Sequence, residues 1–523
     1  MQTLPTGIQH FRRLRAKNAL YVDKTELVHR LINTGDFVFL ARPRRFGKSL
    51  LVTLLKELFE GHQTLFEGLW IEDKIDWRPR PVILINFNDI DYLEQSLSTA
   101  LTEYMDKLAK GHGITLEEDD YKGKFQELIV TLSQQIENQD IGVVLLVDEY
   151  DKPITDFLGD QAKVQEHVRV LKNFYSVLKA TESSHLHFTF LTGVSKYGKI
   201  SIFSDLNNLI DITLAPQFST LLGYTEGELT TYFGDHLADV ASTMNIETEQ
   251  LLAQIKRWYD GYSWDGQNRV YVPFSTLLFF QQKTFANHWF STATPSFLVE
   301  LLRQKVLPAY ELENIGGGSA LMDSADVEQL DIIPLLFHTG YLTVKASHRS
   351  SLTGETRYRL GYPNFEVANA FQRHLLADYL AKPLSQITGT SLDKLETALA
   401  TQDIDGFISV LKLVFSQIPY KLFLDEEAYY HSVAYLTLKV MGFEIYAELL
   451  TNVGRIDAVL STDDTVYIIE FKMTTAKAAL KQIKDKQYAQ PFMNQGKTII
   501  LLGIAFDKEK RNISDWKPEI IKQ

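Results

Sequence analysis

The stretch FVFLARPRRFGKSLLVTLLKELFE, residues 37–60, limits the fold more than any other part of the chain. A short apolar run suits a buried strand, and the residues after Gly-Lys-Ser repeat with helical spacing. A helix that begins there aims its first backbone N–H groups at an anion. The lysine reaches the β/γ-phosphate oxygens and the serine holds Mg²⁺. Gly47, Lys48 and Ser49 match the end of the GxxxxGK[ST] pattern, whereas Arg42 stands where its first glycine would be. The tripeptide alone is a weak signal, and its place between a strand and a helix strengthens it.

The same alternation continues from about residue 20 to 220. FVFLA (37–41), VILINF (82–87), VVLLVD (143–148) and HFTFLT (187–192) read as strands separated by amphipathic helices, which predicts a mostly parallel α/β sheet. VVLLVDEYDKPI sets Asp148 and Glu149 at a strand end, about 100 residues after Lys48. An aspartate there positions Mg²⁺, and a following glutamate orients or activates the attacking water. The alternative is a strand-terminal acid pair at a turn. Thr192 ends the fourth strand, where ATPases of the AAA class place a polar sensor of the γ-phosphate. Arg44, Arg45 and Lys196 are candidates for stabilising phosphate charge, or are simply surface cations.

From about 226 to 300 the pattern turns helical and aromatic, as in RWYDGYSWDG (257–266) and FANHWF (285–290). IGGGSA (315–320) reads as a loop or hinge. A mixed region follows, in which YRLGYPNFEV (358–367) reads as a strand running into a helix. Residues from about 421 onward read helix, strand, strand, strand, helix, strand.

That last segment contains GRIDAVLSTDDTVYIIEFKM, with Asp457 on one expected strand and Glu470 and Lys472 on the next. Side chains alternate along a strand, so Glu470 and Lys472 share a face, and a hairpin sets Asp457 beside them. Burying such groups costs free energy unless they are paired or bind metal. Hard oxygen ligands suit Mg²⁺ or Mn²⁺, and a bound ion stabilises phosphodiester cleavage and acidifies a water. Lys472 either orients that water or holds the phosphate. The alternative is a structural ion pair on the sheet. Glu427 and His431 lie four apart, on one face of a helix. His431 reads as a packed or capping residue and is left out of the metal set. Lys477, Lys481 and Lys484 form a basic helical stripe within KMTTAKAALKQIKDK, which has five lysines against Asp485.

YVDKT (21–25), RPRRFGKSL (42–50), VDEYDKPI (147–154), SIFSDLNNLIDIT (201–213), RWYDGY (257–262) and YPNFEV (362–367) together resemble the bacterial AAA-ATPase-like proteins that end in a PD-(D/E)XK nuclease domain. In that family arginine usually replaces the first P-loop glycine, as Arg42 does. The resemblance implies that an acid on the first core helix, here Glu427, completes the metal site. It also implies that Gln482 and Tyr488 belong to the element behind the catalytic strand.

The expected fold is therefore α/β. It comprises an AAA-like P-loop NTPase domain over 1–225, a helical lid region over 226–310, a mixed linker over 311–390 and a restriction-endonuclease-like domain over 391–523. The expected site has Asp457, Glu470, Lys472, Gln482 and Glu149 as catalytic residues. Arg44, Arg45, Gly47, Lys48, Ser49, Asp148 and Thr192 bind ATP, and Asp457, Glu470, Glu427, Ser49 and Asp148 hold metal. The expected activity is ATP-binding, metal-dependent cleavage of nucleic acid, DNA foremost. The rival is an ATP-dependent switch whose nuclease-like domain binds without cutting. The net charge of −13 excludes a general nucleic-acid coat but not a local basic groove. The absence of cysteine removes disulfide and thiolate chemistry. The N-terminus has no apolar signal segment, and no apolar run reaches the ~20 residues of a membrane span. A cytoplasmic protein is expected, with a homo-oligomer left open.

Overall fold

Strands whose side chains are apolar throughout can be covered only if both faces of their sheet are buried, and in proteins this is the setting of parallel sheets. In the computed structural model, β1 (Phe37–Ala41), β2 (Val82–Asn86), β3 (Val143–Asp148), β4 (Leu186–Gly193) and β5 (Ile210–Asp211) form one such sheet, in the order β2-β3-β4-β1-β5. All its pairings are parallel. Every residue of β1 and of β3 is buried. Helices Lys48–Phe59, Leu97–Gly111, Tyr121–Gln134 and Gln161–Thr181 separate the strands. A parallel sheet opens all its carboxyl ends at one edge, and there the segments after β1, β3 and β4 meet.

The structure describes residues 1–135, 142–181, 185–196, 199–204, 206–289, 302, 308–319, 322, 331–381, 390–418, 427–451, 454–493 and 495–521. Asp205, Phe290 and Ala320 of the segments quoted above, and Asp425 and Glu426 ahead of the helix with Glu427, lie outside the described residues. Contacts divide the chain into two compact units. One takes residues 1–292 and 316–366, the other 293–315 and 367–523. Among the described residues no helix is long and apolar enough to cross a membrane.

In the first unit, helices Glu226–Tyr232, Gly234–Met244, Thr248–Tyr259 and Pro273–Gln282 gather a core of Phe233, Leu237, Leu251, Ile255, Phe279 and Phe280, which also takes in Leu20 and Val22. The glycine-rich segment read as a loop or hinge instead contains strand β6 (Ile315–Gly317). It joins β7 (Thr343–Arg349) and β8 (Thr356–Gly361) in the order β6-β8-β7. A strand needs only backbone partners, so glycine's missing side chain, the basis of the loop reading, does not prevent pairing.

In the second unit β9 (Glu444–Thr451), β10 (Gly454–Ser461), β11 (Thr465–Lys472), β12 (Thr498–Asp507) and β13 (Asn512–Ile521) lie in the order β13-β12-β11-β10-β9. Only β11 and β12 run parallel. Helix Ala476–Asp485 makes that crossover, and Ile483 joins Ile456, Ile468, Ile499 and Leu501 in a core beneath it. Strand β13 is an addition to the expected order of elements.

Glu366 is fully buried in the first unit and accepts hydrogen bonds from Trp289 N (2.5 Å) and Ser275 Oγ (3.2 Å). Burial pushes its carboxyl up to about 7, against those donors and the charge of Arg45. The unfolded chain releases this proton first. Stability that is fully present below about pH 4.5 is therefore lost as pH rises through 7. Glu366→Gln should shrink the fall in unfolding free energy between about pH 4.5 and about pH 7.5 by on the order of 2–3 kcal/mol, as read from urea unfolding followed by tryptophan fluorescence.

Candidate active sites

At the carboxyl edge of the parallel sheet the chain turns sharply into helix Lys48–Phe59. Arg45 (φ +71°) and Gly47 (φ +94°) both adopt left-handed backbone there. A non-glycine residue in that region costs on the order of 1 kcal/mol or more and needs outside support. Side chains supply it. Arg42 is buried and donates to Ala41 O (3.0 Å), Thr213 O (2.7 Å) and Phe218 O (3.3 Å), with its guanidinium 3.9 Å from the centre of the Trp264 ring. Phe46 packs edge-on to Tyr262 and Trp264. Arg45 donates to His288 O (2.8 Å) and lies 4.0 Å above the Phe274 ring. The Trp289 indole donates to Arg44 O (3.2 Å). The aromatic segments around 262–274 and 289 thus brace the loop.

Inside this frame Lys48 Nζ donates to Arg42 O (3.1 Å) and Pro43 O (3.3 Å) and faces Glu149 Oε1 at 3.6 Å. Ser49 hydrogen-bonds Asp148. Asp148 is buried, its Oδ1 has no partner, and burial beside Glu149 pushes its carboxyl up to about 6. An orphaned carboxylate oxygen next to a serine hydroxyl and a lysine fits a hard cation with phosphate oxygens. Glu149 holds a left-handed φ of +56°. Arg44, Lys48, Ser49, Asn88, Glu149 and Lys152 line an open cleft here.

Two expected members are engaged elsewhere. Thr192 is fully buried, donates to Leu40 O (2.8 Å) and does not line the cleft. Lys196 pairs with Asp211 at 3.0 Å, beside Lys199. One residue the sequence reading passes over is Asp151, which accepts from Val194 N (3.1 Å), Ser195 N (2.7 Å) and Ser195 Oγ (2.7 Å) and so ties the end of β3 to the end of β4. The only trace of it in the sequence is a second acid two residues after Glu149.

The second site lies across β9, β10 and β11. The register Ala458↔Ile469, continued by one residue, sets Asp457 opposite Glu470, and Ala447↔Ala458 likewise sets Glu448 beside Asp457. Asp457 Oδ2 accepts from Phe471 N (2.8 Å). Glu470 is fully buried, and its Oε1 accepts from Gln482 Nε2 and from Lys472 Nζ (3.2 Å). Its Oε2 has no partner. Burial, with Asp457 alongside, pushes the Glu470 carboxyl far above the ordinary range. Lys472 is held above its usual value by Glu470 and Asp457, against the pull of burial.

Helix Glu427–Val440 adds to the same site. His431 Nε2 lies 3.8 Å from Glu427 Oε1 and 3.7 Å from Asp457 Oδ2. Ligand atoms of these three residues fall within 4.8 Å of one another. Burial and two nearby cations pull His431 down to about 3, so the ring is neutral. A neutral imidazole can offer a lone pair. The structure therefore groups His431 with Glu427 and Asp457, although the sequence reading leaves it out. Its i, i+4 spacing from Glu427 was the available signal. Tyr488 is buried and donates to Arg455 O (2.9 Å), which anchors the start of β10. Glu448, also passed over, pairs with the Arg455 guanidinium. In the lysine stripe Lys481 pairs with Asp485 and Lys484 with Glu519. Much of its charge is thus met locally.

Comparison with known proteins gives a family match over each of the two regions. The model of a family described as "Predicted AAA-ATPase" matches residues 5–203, and that of the PD-(D/E)XK nuclease superfamily matches residues 425–516. A relative from Azotobacter chroococcum mcd 1, named "Uncharacterized protein in vnfD 5'region", is 38% identical over 525 residues, which cover 98% of this chain and 97% of the relative.

Restoring the missing glycine by Arg42→Gly would remove three buried hydrogen bonds and the contact with Trp264. It should lower stability by about 3–5 kcal/mol and weaken nucleotide binding rather than improve it. Urea unfolding and calorimetric titration with ATP check both.

Proposed function

The chain belongs to the AAA-ATPase-like proteins that carry a C-terminal PD-(D/E)XK nuclease domain, and from that premise we propose that it is an ATP-binding, metal-dependent nuclease acting on nucleic acid, DNA foremost. The observation that carries this reading is the buried Glu470 carboxyl, opposite Asp457, with one oxygen unpartnered and Lys472 bound to the other. A domain that only bound nucleic acid would have no use for it, because burying an unmatched carboxyl costs free energy.

Asp457, Glu470 and Glu427 would hold Mg²⁺ or Mn²⁺, with His431 beside them. An imidazole among carboxylates suits Mn²⁺ better than Mg²⁺. The ion would supply Lewis acidity at a phosphate oxygen and a more acidic water. The chain's own residues do the rest. Gln482 fixes the Glu470 rotamer through Oε1. Phe471 N–H orients Asp457. Lys472 Nζ carries a positive charge where a phosphate would lie. At the other site Lys48 would leave the loop carbonyls to meet the β/γ-phosphates, Ser49 and Asp148 would hold Mg²⁺, and Glu149 would orient the attacking water. We assign the P-loop unit the part of regulator or motor, since unrestrained cutting would harm the cell that makes it.

Asp457→Ala and Glu470→Ala should each abolish cleavage of labelled DNA while circular dichroism stays native. Lys472→Ala should cost activity more than Mn²⁺ affinity, and Gln482→Ala should cost about 10–100-fold in either. Wild-type cutting by the Asp457→Ala protein would end the assignment.

Nucleotide dependence tests the other half. Lys48→Ala should weaken ATP binding in calorimetry, and Glu149→Gln should retain binding while slowing hydrolysis. ATP should change the wild-type cleavage rate several-fold, and Lys48→Ala should remove that response, because a ligand shifts a conformational equilibrium only through differential affinity. Equal rates with and without ATP on every substrate would reduce the P-loop unit to a scaffold.

A further inference from the structure

Strands β7 and β8 form a hairpin whose charge contrasts with that of the chain. Residues 343–361 contain Lys345, Arg349, Arg357 and Arg359 against a single acid, Glu355, in a protein of net charge −13. Arg349, Arg357 and Arg359 are exposed. The register sets His348 opposite Arg357 and Ala346 opposite Arg359, so those two arginines share one face with His348. Arg269 adds to the same region. Burial and the nearby charges of Arg269 and Arg359 pull Lys345 down to about 8, with Asp260 the one acid that acts against them. Among the described residues, none of Arg269, Arg349, Arg357 and Arg359 has a carboxylate at ion-pair distance, in contrast to Lys481 and Lys484 near the nuclease site. Like charges held together with few counter-charges are unfavourable in the isolated molecule, and a polyanion relieves that repulsion.

The tip of the hairpin is built as carefully as its strands. Ser350 N donates to Glu355 O (2.8 Å) and Gly354 N to Ser350 O (2.9 Å), while Ser350 Oγ accepts from Leu352 N (3.3 Å) and Thr353 N (3.2 Å). Arg349 Nε donates to Gly354 O (3.1 Å). This ordered turn holds out Leu352, which is 96% exposed. An apolar side chain on a fixed tip, behind which arginines line the strands, matches the chemistry of a duplex: phosphates along the arm and a base face at the end.

We propose that the β7–β8 hairpin is a nucleic-acid-binding arm, in which Arg357 and Arg359 take backbone phosphates and Leu352 rests against a base. The choice of nucleic acid among polyanions rests on the nuclease reading.

Binding is read by fluorescence anisotropy of a labelled 30-base-pair DNA duplex over a salt series. The full chain carries Asp457→Ala, so the result does not depend on cleavage. The double variant Arg357→Ala/Arg359→Ala should bind about ten-fold or more weakly, and its slope of log affinity against log salt should fall by about 2. Leu352→Ser should weaken binding several-fold at an unchanged slope, because it removes no charge. All these positions are exposed, and an unchanged thermal melt shows that the variants fold. Unchanged affinity and slope in the double variant overturn the arm, and unchanged affinity in Leu352→Ser overturns the base contact. Loss of affinity for phosphatidylserine vesicles, with none for DNA, would assign the surface to a membrane and overturn the proposal. A chain that binds through the hairpin yet never cuts in its wild-type form would sink the nuclease and leave the arm standing. Cutting with the double variant's affinity intact would do the reverse.

Discussion

The backbone of a strand buried on both faces can satisfy its N–H and C=O groups only through neighbouring strands. This requirement, applied to β1, β3 and β4, sets the rest of the first unit. Ala41 is registered with Gly193 and Val147 with Leu191, which fixes the heights at which the loops after β1, β3 and β4 leave the sheet. Lys48, Asp148 and Glu149 meet because of that alignment. Asp151 reinforces it by holding the amides after β4, and Thr192 does the same by bonding its hydroxyl to Leu40 O. The meeting of Lys48, Asp148 and Glu149 is an edge property of a sheet whose interior leaves it no freedom.

Both candidate sites rest on buried carboxyls supplied with too few donors. Asp148 and Glu470 each keep one oxygen without a partner, and burial raises both. Asp211 differs, since Lys196 and Lys199 hold it below the usual carboxylate range. Glu366 and Asp260 also keep an unpartnered oxygen, so what marks the two candidate sites is a second acid beside that carboxyl, Glu149 next to Asp148 and Asp457 opposite Glu470.

Much of this is legible in the sequence, for reasons that also explain what is not. β1 and β3 announce themselves because doubly buried strands have uninterrupted apolar runs. Asp457, Glu470 and Lys472 do so because charge in such runs is conspicuous. β13 escapes notice because an edge strand tolerates Lys517, Pro518 and Glu519, and β6 because glycine says nothing about pairing. The face of a helix can be read from spacing, so Glu427 and His431 fall together, but what the ring of His431 meets depends on β10. The same limit applies to Thr192. Its place at a strand end is visible, whereas the direction of its hydroxyl is decided by β1.

The division of the chain into units that are each discontinuous has a consequence in time. The short helical turn Ala309–Glu313 belongs to the nuclease unit, where Glu313 bonds Tyr435 and pairs with Lys439 at 3.2 Å on the helix of Glu427 and His431. Between that turn and its partners the ribosome must add about a hundred residues, and within them lies the last piece of the P-loop unit, residues 316–366. At roughly 5–20 residues per second this takes on the order of ten seconds. The P-loop unit has all its residues before the turn can meet its helix and well before Glu470 is made. During synthesis the residues of the P-loop unit are therefore all joined before those of the PD-(D/E)XK unit are complete, and never the other way round.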